Sequence, residues 1–201
     1  MALFKIATDN DGCKLKYKEE KDLYNLIDYC IRDSKHTERL GVISDDPEML
    51  TNQFLFIQNG KGEELDTRAL HFILSYDSTG WEWEMNIQKT IESISTLLRI
   101  SSSFLAGHQT IIVAHDNDKN CNIHIIVNPV NMWTRKIFHY SPYELKAFLK
   151  ELASNLYMIY GLALSGVSYI GENGRCYWGS NHFLYENRQY ASQKLKSKNM
   201  K

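Results

Sequence analysis

The chain has 201 residues, enough for one domain whose core needs neither disulfides nor a structural metal. Its net charge of −1 and its 43% apolar content are ordinary for a globular protein and give no global sign of a nucleic-acid partner. No apolar run is long enough to span a bilayer and the first residues do not open a signal peptide, so the sequence predicts a cytoplasmic protein with no membrane partner.

Charge is segregated even though it nearly cancels. Lys14, Lys16, Lys18 and Lys21 cluster early, and a tail from Arg188 carries Lys194, Lys196, Lys198 and Lys201 with no acid. The expected division is a domain over residues 1–180 and a basic tail over 181–201, or the start of a further region. The four cysteines, Cys13, Cys30, Cys121 and Cys176, form no Cys-x-x-Cys pair, which argues against a zinc knuckle and a disulfide framework.

In chain order, Ala2–Thr8 is expected to be a strand, followed by a helix from about Glu20 to Asp33. Ser34–Met49 has the composition of a loop, and Asn52–Gln58 fits a helix or a strand. Ala69–Tyr76 is apolar and bounded by polar turns, a strand pattern; Ile87, Ile91, Ile94, Leu97 and Leu98 give a helix over about Trp83–Ser101. Thr110–His115 and Asn122–Asn128 are β-branched runs around a turn-rich segment, a hairpin signal, with Lys136–His139 as a third strand. Ser141, Pro142 and Glu144 open a helix that Gly161 stops, and Leu162–Tyr169 is a closing strand. The fold class is therefore α+β: a mainly antiparallel central sheet, with helices covering one face, in a single domain.

The hairpin carries the chemistry. Antiparallel pairing brings His115 near Asn122 and His124, and the last two share a face because one residue separates them. Two imidazoles and an amide oxygen then converge, and three protein ligands leave positions open for water or phosphate oxygens. Two half-buried, hydrogen-bonded histidines would show the same spacing.

Residues 115–128, His-Asp-Asn-Asp-Lys-Asn-Cys-Asn-Ile-His-Ile-Ile-Val-Asn, resemble the third motif of MOBP-type relaxases, a branch of the HUH endonucleases. The match runs through His115, His124, the apolar run Ile125–Val127 and Asn128; Asn122 stands where that family has histidine. The resemblance implies an HUH endonuclease-like fold and a divalent metal held by His115, Asn122 and His124, with the amide oxygen favouring Mg or Mn.

That family places its tyrosine nucleophile early. On the helix from Glu20, Tyr24 falls roughly 90° from the centre of the apolar stripe and Tyr29 about 130° away on the other side. Tyr29 should therefore point outward or into a cleft, and Tyr29 with Lys35 also resembles the family's first motif. Tyr24 and Tyr17 are the alternatives. The strand carrying His71 and Ser75 resembles the second motif, His-x-x-x-Ser, giving His71 a supporting role at phosphate or DNA or a place in the core. Asp77, Asp116 and Asp118 are candidates for an acid that orients a ligand histidine.

The implied activity is nicking and religation of single-stranded DNA at a transfer origin through a 5′-phosphotyrosine, starting mobilisation of a plasmid or transposon with accessory proteins. Lys14, Lys16, Arg135 and Lys136 are the candidate backbone contacts, and Trp81, Trp83 and Trp133 candidate stacking platforms. The alternatives are an origin-binding accessory protein, a rolling-circle replication initiator using Tyr143 and Lys146, and an unrelated metal hydrolase.

Overall fold

The structure, a computed structural model, describes residues 2–7, 17–62, 64–77, 83–99, 105–117, 120–138, 164–170 and 176–178. In chain order these form β1 (Ala2–Ile6), α1 (Glu20–Arg32), β2 (His36–Leu40), α2 (Pro47–Asn59), β3 (Leu70–Asp77), α3 (Trp83–Arg99), β4 (His108–Asn117), β5 (Asn120–Asn131), β6 (Leu164–Ile170) and β7 (Cys176–Trp178). The strands make one seven-stranded sheet in the order β2-β4-β5-β3-β1-β6-β7, antiparallel throughout except for the parallel β1–β6 pair. The α+β class holds, with one sheet at its centre.

Alternation along the strands sorts their side chains between two faces. Ile111, Val113 and Ile126 pack into one buried cluster with Leu23, Leu26, Ile27 and Cys30 of α1 and Leu50 and Phe54 of α2. Ile112, Ala114, Ile123, Ile125 and Val127 point the other way and are equally buried. A sheet buried on both faces needs two covering layers, and α3, packed against β2 and β4 with Ile87, Ile91 and Ile94 buried, supplies the second. Helices therefore cover both faces, where the sequence suggested one. Each fully buried Leu or Ile in these layers contributes about 1.5–3 kcal/mol.

The two helices on the first face start for local reasons. The Asp22 carboxylate accepts from the main-chain N–H groups of Lys18 and Glu19, fastening the first turn of α1. In α2, Asp46 is the N-cap, accepting from the Met49 N–H at 2.8 Å, and Pro47 takes the first helical position. This Asp-Pro start lies inside the stretch read as a loop from composition, and β2 lies there too.

β2 escaped notice because His36–Leu40 has five half-buried residues and no alternation; it is an edge strand defined by its pairing with β4. Lys136–His139 does not form a strand among the described residues; one isolated bridge joins Val130 to Ile137. β7 extends the sheet beyond the expected closing strand. The helix expected after Ser141 and the tail over 181–201 lie outside the described residues. Among the described residues no helix is long and apolar enough to cross a membrane.

Candidate active site

The hairpin register is the one the spacing requires: His115 pairs with Asn122 across β4 and β5, and Asn122 pairs with Ser75 on β3. One step inward, His124 lies between Val113 and Ile73. Paired residues share a face, so His115, Asn122, His124 and Ser75 all project toward α1 and α2. The ring centroids of His115 and His124 are 4.9 Å apart, and both side chains are buried.

α1 lays its last turn over this group. Leu23, Leu26, Ile27 and Cys30 face the sheet, which turns the neighbouring Tyr29 away from the core. Tyr29 is 62% exposed, yet its ring stands edge-on to His115 at 5.5 Å and to His124 at 6.0 Å between centroids. One tyrosine thus borders solvent and both hairpin histidines.

The other two tyrosines are placed differently. Tyr17 is buried, and burial, with Cys30, Asp22 and Tyr29 adding to it, pushes its phenol well above the ordinary range. Tyr24 is 41% exposed, more than its expected packing position suggested, and lies five residues before Tyr29, about 140° around the helix. Cys30 is fully buried and its thiol is pushed up to about 12 by desolvation.

Each hairpin donor has a partner that orients it. His115 donates from Nε2 to the Cys30 carbonyl at 2.6 Å; a carbonyl can only accept, so in the neutral ring Nδ1 carries the lone pair. The Asn122 amide oxygen accepts from the Ser75 hydroxyl at 2.5 Å. Nδ1 of His124 meets Nε2 of His71 at 2.8 Å, and Nδ1 of His71 meets the Tyr17 hydroxyl at 2.7 Å. His71 is 4% exposed, buried between these two partners.

Two imidazoles and an amide oxygen on one face, beside an exposed tyrosine, fit a hard-to-borderline divalent cation with open positions. A second group of metal-binding side chains, Cys30, His71 and His124, has its donor atoms within 4.8 Å of one another. Sequence reading missed it because Cys30, His71 and His124 come from three separate segments.

Asn128, the motif's last residue, is structural. Fully buried, it donates from Nδ2 to the Phe54 carbonyl and Gln109 Oε1, and its Oδ1 accepts from Gln58 and the Val130 N–H. It pins β5 to α2 and β4.

Among the described residues, Arg135, Lys136 and Trp133 lie away from this group. Arg135 and Lys136 follow the far end of β5, whose Asn131 is about 23 Å along the strand from His124 at about 3.3 Å per residue. Arg135 there donates to the Ile57 carbonyl, and Trp133, 75% exposed, shares that end. Lys14, Lys16, Trp81 and Asp118 lie outside the described residues, as does the side chain of Trp83. Asp77 and Asp116 occupy strand positions paired with Asn120 and Cys121.

The α+β fold stands beside a family match over most of the chain. A family model described as Relaxase, MobA/VirD2-like, nuclease domain, matches residues 29–162, a span that takes in Tyr29, His71 and the whole hairpin. The chain belongs to this relaxase family and carries its nuclease domain. No curated protein and no solved structure gave a match.

Proposed function

We propose that this nuclease domain nicks and religates single-stranded DNA at a transfer origin, with Tyr29 as nucleophile and a divalent metal, Mg or Mn, held by His115, Asn122 and His124. The observation that carries this reading is the exposed Tyr29 ring standing edge-on to both hairpin histidines.

When bound, the cation polarises the scissile phosphate and offsets charge developing on its oxygens. The chain's own groups do the rest. His115 presents Nδ1 because its Nε2–H is committed to Cys30, and Asn122 is steadied by Ser75. The Tyr29 oxygen forms a bond to phosphorus as the P–O3′ bond breaks. The tyrosine proton passes to solvent, the 3′-oxygen takes one up, and a 5′-phosphotyrosyl linkage remains. The reverse attack by the 3′-hydroxyl reseals the strand, since one phosphodiester replaces another. Such a step serves the mobilisation of a plasmid or transposon in the cytoplasm, together with accessory proteins at the origin. Lys14 and Lys16, close in sequence to Tyr17, are candidates for the DNA backbone.

Asn122 supports a second reading. With an amide in place of imidazole, and its oxygen already accepting from Ser75, the site binds metal more weakly, as suits an origin-binding accessory protein.

Both are tested with labelled single-stranded oligonucleotides tiling the DNA around the protein's own gene, incubated with Mn and run on a denaturing gel. A metal-dependent protein–DNA adduct supports the relaxase reading; cleavage without adduct means a hydrolase, and binding without cleavage means the accessory reading.

A further inference from the structure

Tyr17, His71 and His124 form a buried line through the wall of the site. All three are less than 10% exposed, and the two contacts between them are 2.7 and 2.8 Å. The segment is held firmly: the Tyr17 carbonyl accepts from the Arg68 N–H and the Thr67 hydroxyl just before β3, which then carries His71.

The geometry at His71 and His124 separates two meanings of their contact. Their rings are within 22° of coplanar, with centroids 5.1 Å apart. That separation is what two ring radii and a 2.8 Å N···N contact span in a straight line, so the nitrogens meet head-on. A metal bonds imidazole at about 2.0–2.1 Å, which leaves no room for it between nitrogens facing each other so closely. The contact is an N–H···N hydrogen bond, and Cys30, His71 and His124 are not co-ligands in this arrangement.

We infer that Tyr17 and His71 are positioning residues that hold His124 with its proton on Nδ1, so that Nε2 keeps the lone pair a metal needs. The polarity follows. His124 Nδ1–H donates to His71 Nε2, and His71 Nδ1–H donates to the Tyr17 hydroxyl, which can accept as well as donate. The reverse polarity puts the His124 proton on Nε2 and blocks that donor. An imidazole and a phenol thus fill the role often taken by a carboxylate behind a ligand histidine.

This inference rests on the metal reading of the hairpin, but its first test needs neither metal nor DNA. Long-range proton–nitrogen correlation spectra of the full chain with labelled histidine should show His124 as the Nδ1–H tautomer; an Nε2–H tautomer overturns the relay whether or not the protein binds metal. In Mn titrations, Tyr17→Phe and His71→Leu should weaken binding about 10- to 100-fold. His71→Gln, whose amide oxygen can accept from Nδ1–H, should stay within about threefold of wild type. Wild-type affinity in His71→Leu contradicts the relay. So does a thiolate-to-metal absorption band in the Co-loaded protein that is lost in Cys30→Ser, because His71 and His124 would then be co-ligands with the thiol.

Discussion

His115 donates to the carbonyl of Cys30 across 2.6 Å, and this bond ties the strand that carries a candidate metal ligand to the residue next to Tyr29. The Cys30 carbonyl belongs to the last turn of α1, where helix carbonyls lack intrahelical partners. One side chain therefore caps the helix, fixes its own tautomer and sets the height of the tyrosine above the hairpin. His115→Ala should leave that buried carbonyl unpaired and cost about 1–3 kcal/mol. Chemical denaturation checks the loss, and hydrogen exchange should quicken first at the end of α1.

Tyr29→Phe should behave in the opposite way. The residue is 62% exposed, so removing its hydroxyl should change stability by less than about 0.5 kcal/mol while abolishing the DNA adduct. Thermal unfolding and the adduct gel on the same preparation read both.

Asn122→His places an imidazole opposite His115 in the hairpin. It should tighten Mn and Zn binding by roughly tenfold or more over Mg, which prefers oxygen ligands. Calorimetric titration of the three metals measures the ratio, and an unchanged ratio would remove Asn122 from the ligand set.

Asn128→Ala tests the motif residue assigned to structure. Four hydrogen bonds are lost and buried partners are left unpaired, so destabilisation should reach about 3 kcal/mol or more. Urea denaturation measures it. A nicking defect with full stability would return Asn128 to the chemistry.

His108 should make stability fall on mild acidification. Burial lowers its folded pKa despite the hydrogen bond to the Asn128 carbonyl, so the unfolded chain takes up a proton that the folded chain resists. That contribution is intact above the unfolded value of about 6.5 and is lost as pH falls below it toward the depressed folded value. The change in urea midpoint between about pH 7.5 and 5.5 should be smaller in His108→Asn, which keeps a donor for the carbonyl but does not titrate there.

What the sequence made legible was local. His115, Asn122 and His124 could be placed on one face because a hairpin fixes register with a short turn, and Tyr29 could be turned outward because helical periodicity fixes the stripe at Leu23, Leu26, Ile27 and Cys30. β2 was hidden because an edge strand with no alternation carries its signal in its partner. The Tyr17–His71–His124 line was hidden because Tyr17 reaches β3 only through tertiary packing; the same distance in sequence, 54 residues, separates many pairs that never meet. His71 was accordingly read as a phosphate or DNA contact or as a core residue; it is buried between Tyr17 and His124.

The most direct measurement of the central claim is protease mapping of the adduct by mass spectrometry after Mn-dependent nicking. The expected result is a nucleotide-bearing peptide modified at Tyr29, with no modified peptide in Tyr29→Phe. A nucleotide on Tyr17, Tyr24 or Tyr143, or an adduct that persists in Tyr29→Phe, would contradict it.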